Sequence, residues 1–244
     1  MLPNCELVNV FGSQYLVFKG NDLISNALKQ GGYETEVFAL SQKLVRDYKN
    51  GIVLDIGANL GSFTVPLAKA NPQLTFHSFE PQRIIYYQLC ANVFINGLDN
   101  VYAHHFGLSN KQDRIKLILP DYATETNIGA FSIDEEVRET EYECPTKGRD
   151  ETITVFPLDD GKHKNVRLIK VDVEGHELEV IKGGIETIKA NNYPPIIFEA
   201  WNWKPWFEPK RKALFDYLEG HGYEITEGGN NNLAQHPKHG EMLK

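Results

Sequence analysis

The chain has 244 residues, of which 41% are hydrophobic, and a formal net charge of −8. This length and composition favour one large domain over residues 1–244, and the acidic balance argues against a nucleic-acid-binding protein. The three cysteines stand at unrelated spacings, which argues against disulfides or a zinc site and favours a reducing compartment. With no signal-peptide pattern and no apolar run of roughly 18–20 residues, we expect a cytoplasmic protein without a membrane span.

Residues 1–50 are predicted to form an N-terminal cap on a larger core. Alternating residues over 7–18 predict a hairpin or a pair of short strands, and helical spacing follows over 22–30 and 34–48. The cap is interpreted as part of the same domain.

Residues 51–236 alternate strand and helix patterns. This alternation predicts an α/β, Rossmann-like fold with a mostly parallel sheet and helices on both faces. Strand patterns lie near 52–56, 74–79, 100–106, 167–172 and 195–199, and helix patterns begin at Ser62 and recur near 82–96, 177–190 and 208–220. A closing pair of strands is predicted near 223–226 and 232–235.

The stretch 107–160 interrupts this alternation and is interpreted as an insertion. Strand-like segments at 116–119 and 152–156 flank a polar segment rich in Asp, Glu and Thr. Insertions in α/β folds lie at the surface and often carry substrate contacts. The acidic run 134–136 is interpreted as a solvated face.

The first core strand ends at Asp55 and runs into a loop with Gly57 and Gly61. A buried strand, a tight glycine turn and a helix N-terminus together form a nucleotide-binding corner. The dinucleotide fingerprint needs two further glycines, and Asn59 and Ser62 stand in their place. A carboxylate at the strand end repels phosphate and pairs with an ammonium group. S-adenosylmethionine, which carries an ammonium group and no phosphate, therefore fits this corner better than NAD.

The second core strand ends at Glu80-Pro81, and Glu80 follows Asp55 by 25 residues, the length of one strand–helix–strand unit. A carboxylate at this position can accept hydrogen bonds from both ribose hydroxyls of a bound nucleoside. The alternative is an ordinary loop carboxylate.

Further carboxylates follow the later strands, with Asp172 and Glu174 after one strand and Glu199 after the next. The carboxyl ends of parallel strands face one crevice, so these side chains are predicted to converge with Asp55 and Glu80. Several buried carboxylates need a cation or shared protons. The sulfonium of the methyl donor supplies positive charge, and a divalent metal could supply more. Alternatively, the acids of this segment cap the following helix.

These blocks resemble the FkbM-type methyltransferases, a branch of the class I S-adenosylmethionine-dependent fold. The resemblance covers about residues 30–236 and lies in 53–63, 79–81, 169–184 and 195–199, with looser matches at 33–37 and 232–233. It implies a seven-stranded sheet whose last strand is antiparallel, and O-methylation of a hydroxyl on a sugar or another small natural product. The expected partner is therefore a small-molecule or glycan acceptor.

The resemblance also implies site residues. It places Asp172 and Glu174 beside the reacting centre and Glu80 at the ribose. The cofactor-binding residues that it implies are Glu36, Asp55, Gly57, Asn59, Gly61, Glu80, Pro81, Gly107, Leu108 and Asp172.

A sugar hydroxyl is a poor nucleophile at neutral pH and benefits from a general base or a metal. The candidates are Asp172, Glu174, His176 and Glu199. The ordinary pKa of His176 suits a base, although a histidine after a strand often only bonds the start of a helix. Asp172 and Glu199 resemble paired oxygen ligands for Mg²⁺ or Mn²⁺.

Substrate contacts are predicted at Trp201 and Trp203, because aromatic faces stack on sugar rings. The alternative is that these residues pack the last helix onto the sheet. Asn127 lies in the insertion and matches an Asn-x-Gly patch of the family. Three other functions stay open. They are a nucleic-acid methyltransferase, which the net charge of −8 disfavours, a nicotinamide-dependent oxidoreductase, which Asn59 and Ser62 disfavour, and a non-catalytic nucleoside-binding module.

Overall fold

The computed structural model describes residues 4–20, 22–119, 128–129, 131–141 and 149–239. The strands are β1 (Cys5–Val10), β2 (Ser13–Phe18), β3 (Ile52–Ile56), β4 (Thr75–Phe79), β5 (Val101–His104), β6 (Gly107–Leu108), β7 (Asp113–Leu119), β8 (Arg149–Phe156), β9 (Val166–Val171), β10 (Ile196–Glu199), β11 (Glu224–Thr226) and β12 (Asn231–Gln235). The helices are α1 (Leu23–Lys29), α2 (Thr35–Val45), α3 (Thr64–Ala70), α4 (Arg83–Ile95), α5 (Glu135–Glu141), α6 (Glu177–Gly183), α7 (Ile185–Ala190) and α8 (Glu208–Gly220).

The central sheet has seven strands in the order β11-β12-β10-β9-β3-β4-β5. Strands β3, β4, β5, β9 and β10 pair in parallel, whereas β12 runs antiparallel to β10 and β11. The predicted fold class is confirmed, including the antiparallel last strand. All the parallel strands therefore point their carboxyl ends toward one edge.

Both faces of this sheet are covered, as expected for strands that are apolar throughout. On one face Leu54 and Phe198 pack with residues of α6, α7 and α8. On the other face Val53 and Phe76 pack with residues of α2 and α3. Successive residues of β3 thus belong to opposite cores, which follows from the alternation of side chains along a strand.

The N-terminal hairpin β1–β2 is attached to the glycine loop through Asn92 of α4. Asn92 Oδ1 accepts from the backbone N–H of Leu16 at 2.6 Å, and its Nδ2 donates to the carbonyl of Leu60 at 2.8 Å. The predicted hairpin and cap helices are present. The division into a cap and a core within one domain stays a prediction.

Two predicted elements differ from the structure. The strand predicted over 100–106 is shorter, ending at His104, and the helix predicted over 177–190 is two helices that meet at Gly183 and Gly184. A Cβ on Gly183 would lie 2.0 Å from the carbonyl oxygen of Ser109. The glycine pair therefore allows the insertion to approach the helix, and the helix breaks there.

The insertion contains a three-stranded sheet in the order β6-β8-β7 together with α5. Its acidic run is only partly a solvated face. Asp134 is half-buried, accepts the backbone N–H of Val137 at 3.1 Å and pairs with Lys210 at 2.8 Å. Within the described ranges, none of the helices is both long and apolar enough to cross a membrane.

Candidate active site

A cleft opens at the carboxyl ends of β3, β4 and β9. Its floor comes from the loops that follow these strands, and the cap and the insertion cover it from above. The lining residues are Ile24, Tyr33, Glu34, Ile56, Gly57, Asn59, Ser62, Phe79, Glu80, Pro81, Gln82, Gly107, Leu108, Gly129, Phe131, Ile133, Lys170, Asp172, Val173 and Glu174. The structure thus brings together most of the residues predicted to bind the cofactor.

The loop after β3 is shaped by Gly57, which has φ +82°. A Cβ on Gly57 would lie 1.8 Å from the carbonyl oxygen of Asp172, and the Asp172 N–H donates to the carbonyl of Ile56 at 2.9 Å. Gly61 has φ +94°, and its missing Cβ faces Leu89 and Val65 rather than the cleft. Gly57 therefore lies in the cleft wall, whereas Gly61 shapes the turn behind it.

Glu80 is held by the backbone at the cleft wall. Its Oε2 accepts from the N–H of Asn59 at 3.0 Å, and its Oε1 accepts from the N–H of Gln82 at 2.8 Å. Burial raises the pKa of Glu80 to about 7. Each oxygen keeps a second lone pair for a hydroxyl donor, so the carboxylate is oriented and available.

Asp55 lies beneath the cleft and is fully buried. Its Oδ2 accepts from the Thr64 hydroxyl at 2.5 Å, while none of the described residues donates to its Oδ1. Burial raises the pKa of Asp55. A buried acceptor without a donor is costly, and Asp55 is not among the residues that line the cleft.

Lys170 supplies a cation inside the site. Its Nζ lies 3.0 Å from Asp172 Oδ2 and 4.0 Å from Glu34 Oε2. Burial would lower the pKa of Lys170, but the carboxylates around it, with Asp172 foremost, raise it well above its usual value. Lys170 is therefore charged and offsets part of the negative charge that the sequence predicted for this crevice.

Three carboxylates meet at the end of the cleft. Oxygens of Asp172, Glu174 and Glu199 lie within 4.8 Å of one another. Burial, and then the charge of Asp172, raises the pKa values of Glu174 and Glu199 well above the usual range. The predicted convergence of these strand-end acids is present, and Glu174 and Glu199 bind a proton more tightly than an exposed glutamate does.

Glu177 and His176 have structural partners. Glu177 Oε1 accepts the backbone N–H groups of Val173 and Gly175 at 3.1 and 3.0 Å, so it caps this loop. His176 Nε2 bonds the hydroxyl of Ser109 at 2.9 Å, at the start of α6. The structure places His176 outside the cleft lining, where its side chain bonds Ser109 of the insertion and neither caps α6 nor reaches the reacting centre.

The tryptophans also lie outside the cleft wall. Trp201 is 5% exposed and packs on Phe207, with ring centroids 4.8 Å apart, whereas Trp203 is 63% exposed. Lys204 Nζ lies above both rings. Trp201 therefore packs the segment before the last helix, as the alternative interpretation held, and Trp203 faces solvent.

The insertion reaches the cleft at residues 128–129. A Cβ on Gly129 would lie 1.8 Å from Asn59 Nδ2, and the Ile128 N–H donates to Asp22 Oδ1 at 3.2 Å. Asn127, predicted to contact substrate, lies outside the described residues. The insertion thus covers the cleft directly above Asn59.

A model of the methyltransferase FkbM domain matches residues 55–225. This chain belongs to the FkbM methyltransferase family. The match begins at the strand-end Asp55 and includes every strand that contributes a carboxylate to the cleft.

Relatives of this FkbM-family chain are distant. It is 28% identical over 209 residues to the methyltransferase sdnD of Sordaria araneosa, with 72% of this chain and 75% of sdnD covered. It is 28% identical over 145 residues to Methyltransferase 1 of Beauveria bassiana, covering 55% and 58% of the two chains. The crystal structure of a methyltransferase FkbM from Methylobacillus flagellatus superposes with a TM-score of 0.52 at 19% identity, over 79% of this chain and 45% of that chain. At this identity, the similarity to the Methylobacillus flagellatus structure shows a shared fold only.

Two residues of the FkbM-family site were missed by sequence reasoning, and one was misplaced. Lys170 is the single charged residue in the apolar run 168–171, and that break in the pattern was the available signal. Glu34 has φ +52° and lines the cleft, whereas the predicted Glu36 is exposed and lines a separate cavity with Val37. Glu34, and not the predicted Glu36, is therefore the glutamate of this segment that lines the cleft.

Proposed function

We propose that this chain transfers the methyl group of S-adenosylmethionine to a hydroxyl oxygen of a small-molecule or glycan acceptor. The observation that carries the proposal is one cleft that combines a glycine turn at Gly57, the buried carboxylate of Glu80 and the cluster around Asp172. Beneath this cleft, Asp55 bonds the hydroxyl of Thr64 at the start of the helix that follows the glycine turn. When bound, S-adenosylmethionine supplies a methyl group on a positively charged sulfur.

The residues of the cleft bind the donor and position the acceptor. Glu80 accepts the ribose hydroxyls. Because Gly57 and Gly129 lack a Cβ, their backbones pack against the Asp172 carbonyl and the Asn59 side chain, and this packing shapes the cleft wall around the ligand. Asp172 and Glu174 hold the acceptor hydroxyl in line with the methyl group, and such positioning lowers the barrier by several kcal/mol.

The acceptor proton leaves as the new C–O bond forms and the S–C bond breaks. A carboxylate of the cluster takes that proton. Raised pKa values at Glu174 and Glu199 bring their proton affinity closer to that needed near neutral pH, where a general base works best. Lys170 Nζ lies 3.0 Å from Asp172 Oδ2, the third carboxylate of the cluster.

The other functions are less well supported. The negative wall formed by Glu34, Glu80 and Asp172 repels a pyrophosphate, which disfavours a nicotinamide cofactor. The same wall and the net charge of −8 support an acceptor that is a neutral or cationic small molecule and not a nucleic acid. Equilibrium binding of S-adenosylmethionine against NAD separates the two enzyme classes.

Glu80→Gln is expected to weaken S-adenosylmethionine binding by about 1–3 kcal/mol, the usual cost of losing hydrogen bonds to a charged group. Titration calorimetry measures the change, and the exposed Glu224→Gln is the matched control. Wild-type affinity in Glu80→Gln would refute the ribose assignment.

The same variant tests the pH dependence. The pKa of Glu80 is about 7, and ribose hydroxyls donate to its ionised form, so wild-type affinity is expected to rise about tenfold from pH 6 to pH 8. Other buried carboxylates titrate with it. The share due to Glu80 is the difference between the wild-type slope and that of Glu80→Gln, and equal slopes would contradict this assignment.

A metal-dependent form of the reaction would have Mg²⁺ or Mn²⁺ bound by Asp172, Glu174 and Glu199. Because Lys170 already offsets Asp172 at 3.0 Å, we expect methyl transfer to persist after exhaustive chelation with EDTA. Transfer of labelled methyl groups to a panel of hydroxylated metabolites and activated sugars measures this. Loss of transfer that Mg²⁺ or Mn²⁺ restores would instead assign a catalytic metal.

A further inference from the structure

A second cavity lies between the hairpin β1–β2 and helix α3. It has a volume of about 510 Å³, within the range of small-molecule sites. Most of its wall is apolar. The lining residues are Val10, Phe11, Gly12, Ser13, Tyr15, Leu28, Gly32, Tyr33, Thr35, Phe38, Ser62, Pro66, Lys69 and Ala70.

The wall of this cavity is held together by specific contacts. Lys69 Nζ donates to the carbonyl of Gly12 and so ties the hairpin tip to the end of α3. Phe11 at the tip packs against Gly32, where a Cβ would lie 2.9 Å from Phe11 Cε2. The hairpin tip therefore forms a defined side of the cavity.

The cavity adjoins the candidate active site. Tyr33 and Ser62 line both spaces. Burial, and then the negative charges of Glu34 and Asp172, raises the pKa of Tyr33. Tyr33 and Ser62 therefore form a shared wall between the cavity and the cleft that contains Asp172.

We propose that this cavity binds an apolar ring or chain of the methyl acceptor, whose hydroxyl then reaches Asp172 past Tyr33. This proposal rests on the proposed methyl transfer and narrows its substrate class. A sugar alone would leave hydroxyl groups unpaired against the apolar wall. The acceptor is therefore a hydroxylated compound with a hydrophobic part, recognised by the N-terminal cap.

The test uses 2-naphthol as the probe, since it joins one hydroxyl to an apolar ring system. Ala70 is an exposed residue at the cavity rim, and Ala70→Trp places a large ring there. Ala39 is exposed on α2 and lies outside the cavity wall, so Ala39→Trp is the matched control. Ligand-observed NMR gives the affinity of each protein for 2-naphthol, and calorimetry gives the affinity for S-adenosylmethionine.

We expect wild type and Ala39→Trp to bind 2-naphthol equally and Ala70→Trp to bind it at least tenfold more weakly. All three proteins should bind S-adenosylmethionine within twofold of one another, which also shows that Ala70→Trp is folded. Lack of 2-naphthol binding by wild type, or unchanged binding by Ala70→Trp, would overturn the cavity proposal. Failure of all three to bind S-adenosylmethionine would instead overturn the proposed function, because 2-naphthol binding is measured separately.

Discussion

Gly57→Val is expected to abolish detectable S-adenosylmethionine binding and to destabilise the fold. Gly57 has φ +82°, and the new Cβ would lie 1.8 Å from the carbonyl oxygen of Asp172. That oxygen is backbone and cannot rotate away, so strain and overlap add. Together they cost roughly 2–6 kcal/mol of unfolding free energy. Chemical denaturation measures the stability, and calorimetry measures the binding.

The control for this variant is Gly97→Val. Gly97 also has a positive φ, +64°, but no described atom lies within 4 Å of its missing Cβ. We expect about 1–2 kcal/mol of destabilisation from backbone strain alone, with unchanged binding. Normal donor binding by Gly57→Val would mean that the loop is not where the ligand lies.

The turn after β3 and the position of Glu80 could be predicted because their signals are local. An apolar strand that ends in Asp55, followed by Gly57, encodes its own geometry within a few residues. The pairing of β3 with β4 then brings Glu80 to the Asn59 N–H. Such a strand–turn–helix–strand unit can be predicted from the sequence because its parts follow one another along the chain.

The rest of the site depends on contacts between distant segments. Glu34 reaches the cleft only because it adopts φ +52° at the start of α2, a conformation that its sequence neighbours do not signal. Glu36, two residues later, faces away. Similarly, His176 and Trp201 follow strands as site residues do, but packing against Ser109 and Phe207 directs their side chains elsewhere.

The sequence predicted that the negative charge of the clustered acids would be offset, but it did not identify the residue that offsets it. Sequence reasoning required a cation or shared protons for the clustered acids. The structure supplies the cation as Lys170, 3.0 Å from Asp172. Burial and the charge of Asp172 also raise the pKa values of Glu174 and Glu199, so these carboxyls take up protons more readily.

Asp172→Asn and Glu174→Gln are each expected to lower the turnover of methyl transfer at least tenfold, more than either weakens donor binding. Asp172 is the closest carboxylate partner of Lys170 in the cluster. Its neutral replacement leaves Lys170 with Glu34 at 4.0 Å and removes the charge that orients the acceptor hydroxyl. Glu174→Gln removes a group that accepts the acceptor proton.

Turnover and donor affinity together distinguish the possible roles of these carboxylates. A fall in kcat at constant affinity for S-adenosylmethionine assigns the cluster to the reacting centre, since only interactions that strengthen in the transition state act on kcat alone. A loss of affinity for S-adenosylmethionine with kcat unchanged would instead assign it to donor binding. The exposed Asp160→Asn is the control for a lost surface carboxylate. Wild-type turnover in both Asp172→Asn and Glu174→Gln would show that the reacting centre lies elsewhere in the cleft.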